Sequence, residues 1–189
     1  YNNYIYDNAI NTKIIKLKKF NYLNPRYKIN NKFKNIVLEG GAIDVNGQGC
    51  LLATRECFLS KTQERNPGLK KKKIENIFRK YLGVKKIIWL NKGIVGDDTH
   101  GHIDDIARFV SDYKIFLAYE KNHKDKNFKS LNENYKILNE ASNHCGQRIK
   151  IIKIPMPKPI FIEGTRVPAS YLNFYIANKI VLVPTFNDS

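Results

Sequence analysis

The sequence predicts an α/β fold assembled from pseudo-repeats, and three observations carry that expectation. Short apolar runs come in pairs separated by Gly- or Asn-containing turns, as β-hairpins require. Amphipathic helical stretches and single apolar strands fill the intervals between the pairs. The hairpins return about every 60 to 65 residues, which marks internal repetition.

Taken in order, residues 36–45 and 50–54 read as strands around the turn Asn46-Gly47-Gln48-Gly49, with Val37, Leu38, Ile43, Val45, Leu51 and Leu52 as apolar members. Leu69 to Tyr81 reads as a helix, because Ile74, Ile77, Phe78 and Tyr81 recur at three- and four-residue spacing, and Gly83 stops it. Val84 to Leu90 is a short buried strand. Ile106 to Val110 and Ile115 to Tyr119 form the second hairpin around Ser111-Asp112. The plan then recurs: a helix from Leu131 to Ala141 and a strand from Arg148 to Ile154, broken by Pro155, Pro157 and Pro159. A third hairpin pairs Tyr171–Ile176 with Ile180–Val183 around Ala177-Asn178-Lys179.

Composition sets the bounds. The 189 residues suit one domain, and 42% hydrophobic with 12% aromatic content is enough for a core. The chain contains no run of 18 apolar residues, and its first residues lack the pattern of a signal peptide, so a soluble, cytoplasmic protein without a membrane role is expected. Three cysteines, Cys50, Cys57 and Cys145, fit neither a disulfide framework nor a zinc ribbon and read as reduced thiols. The chain begins with Tyr1 rather than Met, and an excerpt of a longer polypeptide, truncated at both ends, is expected.

The formal charge of +16 raises nucleic-acid binding as a function. Of the 33 basic residues 26 are lysines, and the run at Lys70–Lys73 holds no aromatic residue and that at Lys121–Lys129 a single phenylalanine, Phe128, so solvated faces rather than a specific nucleic-acid site are expected.

The stretch from Gly96 to Asp105 concentrates chemistry. It holds two of the four histidines, His100 and His102, and four carboxylates, Asp97, Asp98, Asp104 and Asp105. Such a cluster either binds a metal or grips a planar cation while a histidine moves protons. A strand through residues 102–104 would set both side chains on one face. On the residues alone, Glu39 before two glycines could be a turn residue, and His102 a core histidine bonded to Asp104. Asp98 could cap a turn, and Asp97, His100 and Asp105 read as supporting or surface groups.

Five segments in order carry a resemblance. They are Leu38-Glu39-Gly40-Gly41-Ala42-Ile43, the run Gly47 to Cys57, Arg65-Asn66-Pro67, Asp97 to Asp105 with Arg108-Phe109, and Pro168 to Ile176. Together they resemble the agmatine deiminase family, relatives of bacterial peptidyl-arginine deiminases. The resemblance implies the pentein fold, a pseudo-symmetric propeller of αββαβ units with about three of its five blades present in a single domain over residues 1–189. It also implies hydrolysis of agmatine to N-carbamoylputrescine and ammonia in polyamine biosynthesis, without a cofactor. In that chemistry a cysteine thiolate attacks the guanidinium carbon, a histidine handles the protons and carboxylates hold the nitrogens.

Carried over position by position, His102 is the proton shuttle, Asp104 and Glu39 are catalytic and substrate-binding carboxylates, and Asp98 is a further substrate-binding candidate. Two family features are absent: the cysteine after a glycine-rich strand and an N-terminal Arg-Asp motif. Cys145 follows His144 at the end of a helix without that glycine run, and Cys50 and Cys57, in a strand context, read as buried structural thiols. The chain alone is therefore expected to be inactive. Faces left uncovered by missing blades lead to an expectation of self-association into homo-oligomers.

A second reading is a metallo-β-lactamase-like zinc hydrolase using His100, His102 and Asp104, in which Asp105 stands where that signature needs a further histidine.

Overall fold

The computed structural model describes residues 5–19, 21 and 23–188, which form two compact units, Tyr1–Ile36 and Val37–Ser189. The first unit contains helix α1 (Ile5–Lys18) and an antiparallel hairpin of β1 (Arg26–Ile29) and β2 (Lys32–Asn35). Asn30 and Asn31 both take positive φ, 47° and 58°, so the two-residue turn matches the right-handed twist of its strands. The Asn-Asn pair was a readable hairpin signal, yet neither this hairpin nor α1 follows from the sequence reading above.

In the second unit, β3 (Ile43–Val45) pairs antiparallel with β4 (Cys50–Thr54). The five-residue helix α2 (Arg55–Leu59) follows at once, capped by Thr54, whose hydroxyl accepts from Cys57 N at 3.0 Å. Helix α3 (Lys71–Leu82) then crosses to β5 (Lys86–Leu90), which lies parallel to β4 and completes a three-stranded sheet in the order β3-β4-β5. The module repeats. Strands β6 (Ala107–Phe109) and β7 (Lys114–Tyr119) are antiparallel, α4 (Phe128–Asn139) crosses over, and β8 (Lys150–Pro155) lies parallel to β7, giving the order β6-β7-β8. Two small hairpins follow, β9 (Phe161–Ile162) with β10 (Thr165–Arg166), and β11 (Tyr175–Ala177) with β12 (Ile180–Leu182). The β9–β10 hairpin was not anticipated from its sequence.

Burial explains the order of the sheets. Every residue of β4 is buried, as expected of the middle strand, covered on both sides. One apolar cluster joins the modules, with Leu52 and Leu90 from the first and Ile115, Leu117, Leu131 and Leu138 from the second. A second cluster stacks Phe58, Phe78 and Trp89, with ring centroids 5.2 Å (Phe58–Phe78) and 6.0 Å (Phe58–Trp89) apart. Among the described residues, no helix is long and apolar enough to cross a membrane.

Three local expectations are corrected. Residues 36–42 are not a strand: Asn66 takes both backbone groups of Val37, accepting from its N–H and donating to its carbonyl at 2.9 Å each, and Gly40–Ala42 is a 3-10 helix. Residues 103–105 are likewise a 3-10 helix rather than a strand. Cys57 lies on α2 rather than on a strand, and Cys145 lies in a turn after α4 has ended at Asn139.

Candidate functional site

Glu39 and His102 occupy matching places in the two modules. Each is the residue before a 3-10 helix that leads into the module's first strand, Glu39 ahead of Gly40–Ala42 and β3, His102 ahead of Ile103–Asp105 and β6. Although 63 residues separate them in the chain, His102 Nε2 lies 3.0 Å from Glu39 Oε2. Burial works to raise the Glu39 carboxyl, but hydrogen bonds from His102 and Arg65 outweigh it and hold the group below its usual range. An ionised carboxylate can only accept, so the proton of this hydrogen bond sits on Nε2 of the imidazole. Nδ1 then faces Asp104, whose Oδ1 is 4.0 Å away.

Asp104 is the unsatisfied member of the group. Its Oδ1 is buried and has no hydrogen-bond partner among the described residues. Burial, with the negative charge of Asp105 adding to it and His102 and Arg108 opposing it, pushes the Asp104 carboxyl up to about 6. Such a carboxylate is short of a hydrogen-bond donor at Oδ1.

Gly41 makes the approach of these groups feasible. A Cβ on Gly41 would lie 2.6 Å from both Asp104 Oδ2 and His102 Nδ1, so no side chain fits between the Glu39 loop and the His102 loop. A cavity of about 220 Å³ opens beside them, lined by Gly40, Gly41, Asp44, Asp104, Arg108 and Tyr175, among others. Its far wall is fixed by Arg108, which pairs with Asp44 at 2.9 Å, donates to the carbonyls of Leu172 and Phe174, and lies 4.6 Å from the centroid of the Phe174 ring.

Other cluster residues build the loop rather than the cavity. Asp97 Oδ2 accepts from the backbone N–H of Gly101 at 2.8 Å and of His102 at 3.0 Å, and its Oδ1 accepts from Thr99 N at 2.8 Å. Burial tends to raise Asp97, but these hydrogen bonds prevail and lower it. Gly101 takes φ +84°, and a Cβ there would also meet the Glu56 side chain at 2.8 Å. Asp105 accepts from Asn173 Nδ2 at 3.0 Å and, through its carbonyl, from Ser170 Oγ at 2.6 Å, so the segment after β10 clamps the second 3-10 helix.

Of the residues singled out from sequence, Glu39, His102 and Asp104 come together. Asp98 is exposed, and it joins the scaffold through its carbonyl, which accepts from Gln63 Nε2 at 3.2 Å. His100 faces a different cavity, lined with Arg55, Lys92 and Glu133 among others, and its Nδ1 is buried without a partner among the described residues. The zinc reading is not supported: among the described residues, the one set of three His, Cys, Asp or Glu ligand atoms within 4.8 Å of one another is Glu39, Cys57 and His102, without His100 or Asp104. That set fits a metal poorly, since Arg65 already pairs with Glu39 and burial pushes the Cys57 thiol up to about 11.

Arg65 and Gly41 are the site residues whose part was not read from sequence. Arg65 donates from Nε to Glu39 Oε2 at 3.0 Å, from Nη1 to Gln63 O at 3.2 Å, and from Nη2 to the Thr99 carbonyl. It thereby ties the two halves of the site together. A lone arginine in a polar loop gives no periodic signal, and only its place beside Asn66-Pro67 marked it.

The mixed α/β chain thus sets the paired Glu39 carboxylate and His102 imidazole next to Asp104, which lines the cavity. Comparison with known proteins places the chain in a family. The family model described as Porphyromonas-type peptidyl-arginine deiminase matches residues 1–189, and the chain belongs to that family. It is 34% identical over 201 residues to the agmatine deiminase of Medicago truncatula, covering 96% of this chain and 51% of that protein. Its fold matches the agmatine deiminase of C. jejuni with substrate bound (TM-score 0.80, 34% identity, 96% of this chain and 50% of that one). It also matches the Enterococcus faecalis enzyme (TM-score 0.81, 32% identity, 96% and 52%). The chain spans about half the length of the curated relatives it matches.

Proposed function

We propose that this chain carries the acid–base and substrate-holding half of an agmatine deiminase, which converts agmatine and water to N-carbamoylputrescine and ammonia. The single observation that carries the reading is the buried, partnerless Oδ1 of Asp104 beside the His102–Glu39 pair. A guanidinium supplies what that oxygen lacks: a flat fork of N–H donors with a delocalised charge. Asp104 takes one edge of the fork and Glu39 another, and the guanidinium carbon is left open to a nucleophile above its plane. Asp98 is exposed and stands as a candidate for the remainder of the substrate.

His102 supplies the protons. After a thiolate attacks the guanidinium carbon, an imidazolium gives its proton to the departing nitrogen, ammonia leaves, and the neutral imidazole takes a proton from the water that releases the ureido product. Glu39 steadies the cationic imidazole in both steps. None of the three thiols suits the nucleophile's part: Cys50 and Cys57 are buried, Cys57 is held protonated by its surroundings, and Cys145 is on another part of the unit, beside β8. The thiolate belongs to a part of the enzyme outside these residues.

In the same reading, the two β-β-α-β modules are blades of a five-bladed pentein propeller, with the β11–β12 hairpin opening a third, all within one domain. The substrate is a small guanidinium compound in the cytoplasm, and the lysines are solvated surface that binds nucleic acid without sequence preference.

Calorimetric titration of the 189-residue chain tests the proposal. Agmatine should bind at around millimolar affinity, putrescine much more weakly, and both Glu39→Gln and Asp104→Asn should abolish the difference. Equal binding of agmatine and putrescine by the unaltered chain would overturn it.

A further inference from the structure

His144 stands between two thiols. Its Nε2 lies 3.2 Å from Cys145 Sγ, its Nδ1 lies 3.8 Å from Cys50 Sγ, and its backbone N–H donates to the same Cys50 Sγ at 3.2 Å. The two cysteines differ in access. Cys145 is exposed, while Cys50 is buried at the start of β4. None of the three residues belongs to the Glu39–His102–Asp104 group.

The segment carrying His144 and Cys145 is a tight turn held at its base. Asn143 is buried and organises it: its N–H donates to Gln147 O at 2.8 Å, and its Oδ1 accepts from Cys145 N and Gln147 N at 3.0 Å each. Residues 145–148 are exposed, so the rim of the turn can move while Asn143 keeps its base in place. An accessible thiol beside an imidazole, with a second thiol against the backbone of the adjoining residue, is the arrangement that a two-cysteine redox site needs.

We propose that Cys145 is a peroxide-reactive thiol for which His144 is the proton carrier and Cys50 the resolving thiol. In the first step the imidazole takes the Cys145 proton and the thiolate attacks one oxygen of hydrogen peroxide. The O–O bond breaks, Cys145 becomes a sulfenic acid, and the hydroxide released takes the proton back from the imidazole to leave as water. In the second step the Cys50 thiol attacks the sulfenic sulfur, the S–O bond breaks, and a second water leaves. Two thiols have lost two electrons and two hydrogens, and one peroxide has become two waters. The imidazole must swing out of the gap for the sulfurs to reach bonding distance, which the exposed rim of the turn permits. The resulting disulfide joins Cys50 to Cys145, 95 positions along the chain (145 − 50), and staples β4 of the first module to the turn that leads into β8 of the second.

The test is peroxide treatment of the 189-residue chain followed by non-reducing peptide mass mapping. The expected product is one cross-linked pair of peptides carrying Cys50 and Cys145, about 2 Da lighter than the sum of the free peptides and reversed by dithiothreitol. In Cys50→Ser, Cys145 should instead accumulate as a sulfenic acid that dimedone labels. His144→Gln should slow oxidation of Cys145 by about fivefold or more. Cys145→Ser, a change at an exposed position that leaves the core intact, should remove the cross-link. Dimedone labelling of Cys145 in the unaltered chain without a cross-link, a cross-link to Cys57, or oxidation of Cys145 no faster than in the urea-unfolded chain would each overturn the proposal.

Discussion

Gly41 and Asp104 approach so closely that a methyl group on Gly41 would sit 2.6 Å from Asp104 Oδ2. Because Gly41 does not require a left-handed backbone, alanine is permitted there by conformation and excluded by its neighbours alone. Gly41→Ala should therefore keep the fold, displace Asp104 and His102, and weaken agmatine binding by at least about tenfold, at a stability cost of about 1–3 kcal/mol. Calorimetry with a urea melt reads both quantities, and undiminished binding would show that the contact is not needed.

Asp104 holds charge at a cost to the fold. Its folded pKa of about 6 is raised above its ordinary 3.8, so the folded state binds more protons between those values and stability falls as pH climbs through that window. Asp104→Asn should accordingly stabilise the chain at pH 7.5 by on the order of 1–3 kcal/mol, while at pH 3, where the native carboxyl is also neutral, the gain should vanish. Agmatine binding by the unaltered chain should weaken below about pH 6 for the same reason, because the cation needs the ionised form. Denaturation curves at the two pH values would contradict this if Asn destabilised at both.

Arg65 helps hold Glu39 in its ionised form by donating to Oε2, the same oxygen that His102 bonds. Removing it in Arg65→Ala takes away one of the two donors, and the Glu39 carboxyl should titrate at a higher pH than before. Carbon-detected NMR of the Glu39 carboxyl gives the answer directly, and an unmoved titration would mean that His102 alone sets its state.

Asp97 accepts three backbone N–H groups from the loop that carries His102. Asp97→Ala strands those donors and should cost about 2–4 kcal/mol. The loss should diminish in acid, since hydrogen bonding lowers the Asp97 pKa and its stabilisation is present above its unfolded value and lost as pH falls through the folded one. A melt at neutral pH within about 0.5 kcal/mol of the parent would refute this role.

The chain alone should release no ammonia from agmatine. Cys50 and Cys57 are buried, burial pushes the Cys57 thiol beside Glu39 and His102 up to about 11, and Cys145 lies elsewhere in the unit. Release that disappears in Cys57→Ala or Cys145→Ala would place the nucleophile within these residues after all.

The repeated hairpin, helix and strand were legible because each packs an apolar face whose period survives in the sequence, from Ile74 and Phe78 on α3 to Leu131 and Leu138 on α4. The two turns that present Glu39 and His102 were not. Val37 and Leu38 look like strand residues yet are 44% and 36% exposed, because the Asn66 amide, 29 positions away, stands in for a neighbouring strand at Val37. Asp97 does the same for the N–H of His102. Side chains that imitate a strand's hydrogen bonding leave no periodic trace, so the cluster at 96–105 could be recognised as chemistry, with Asp97, His100 and Asp105 set apart from His102 and Asp104, while the contacts that hold the loop were not legible.

Glu39 and His102 hold one address in two copies of the same module, each at the threshold of a 3-10 helix and a first strand. Both copies place a 3-10 helix there, and their backbones part only at its end, where Ile43 is extended (ψ 148°) and Ile106 is not (ψ −28°). The polar couple beside the cavity is thus a seam where a repeated unit meets itself with unlike residues. Converting a contact between copies into an acid–base pair asks for divergence at a single place in the repeat, and no new loop has to be invented for it.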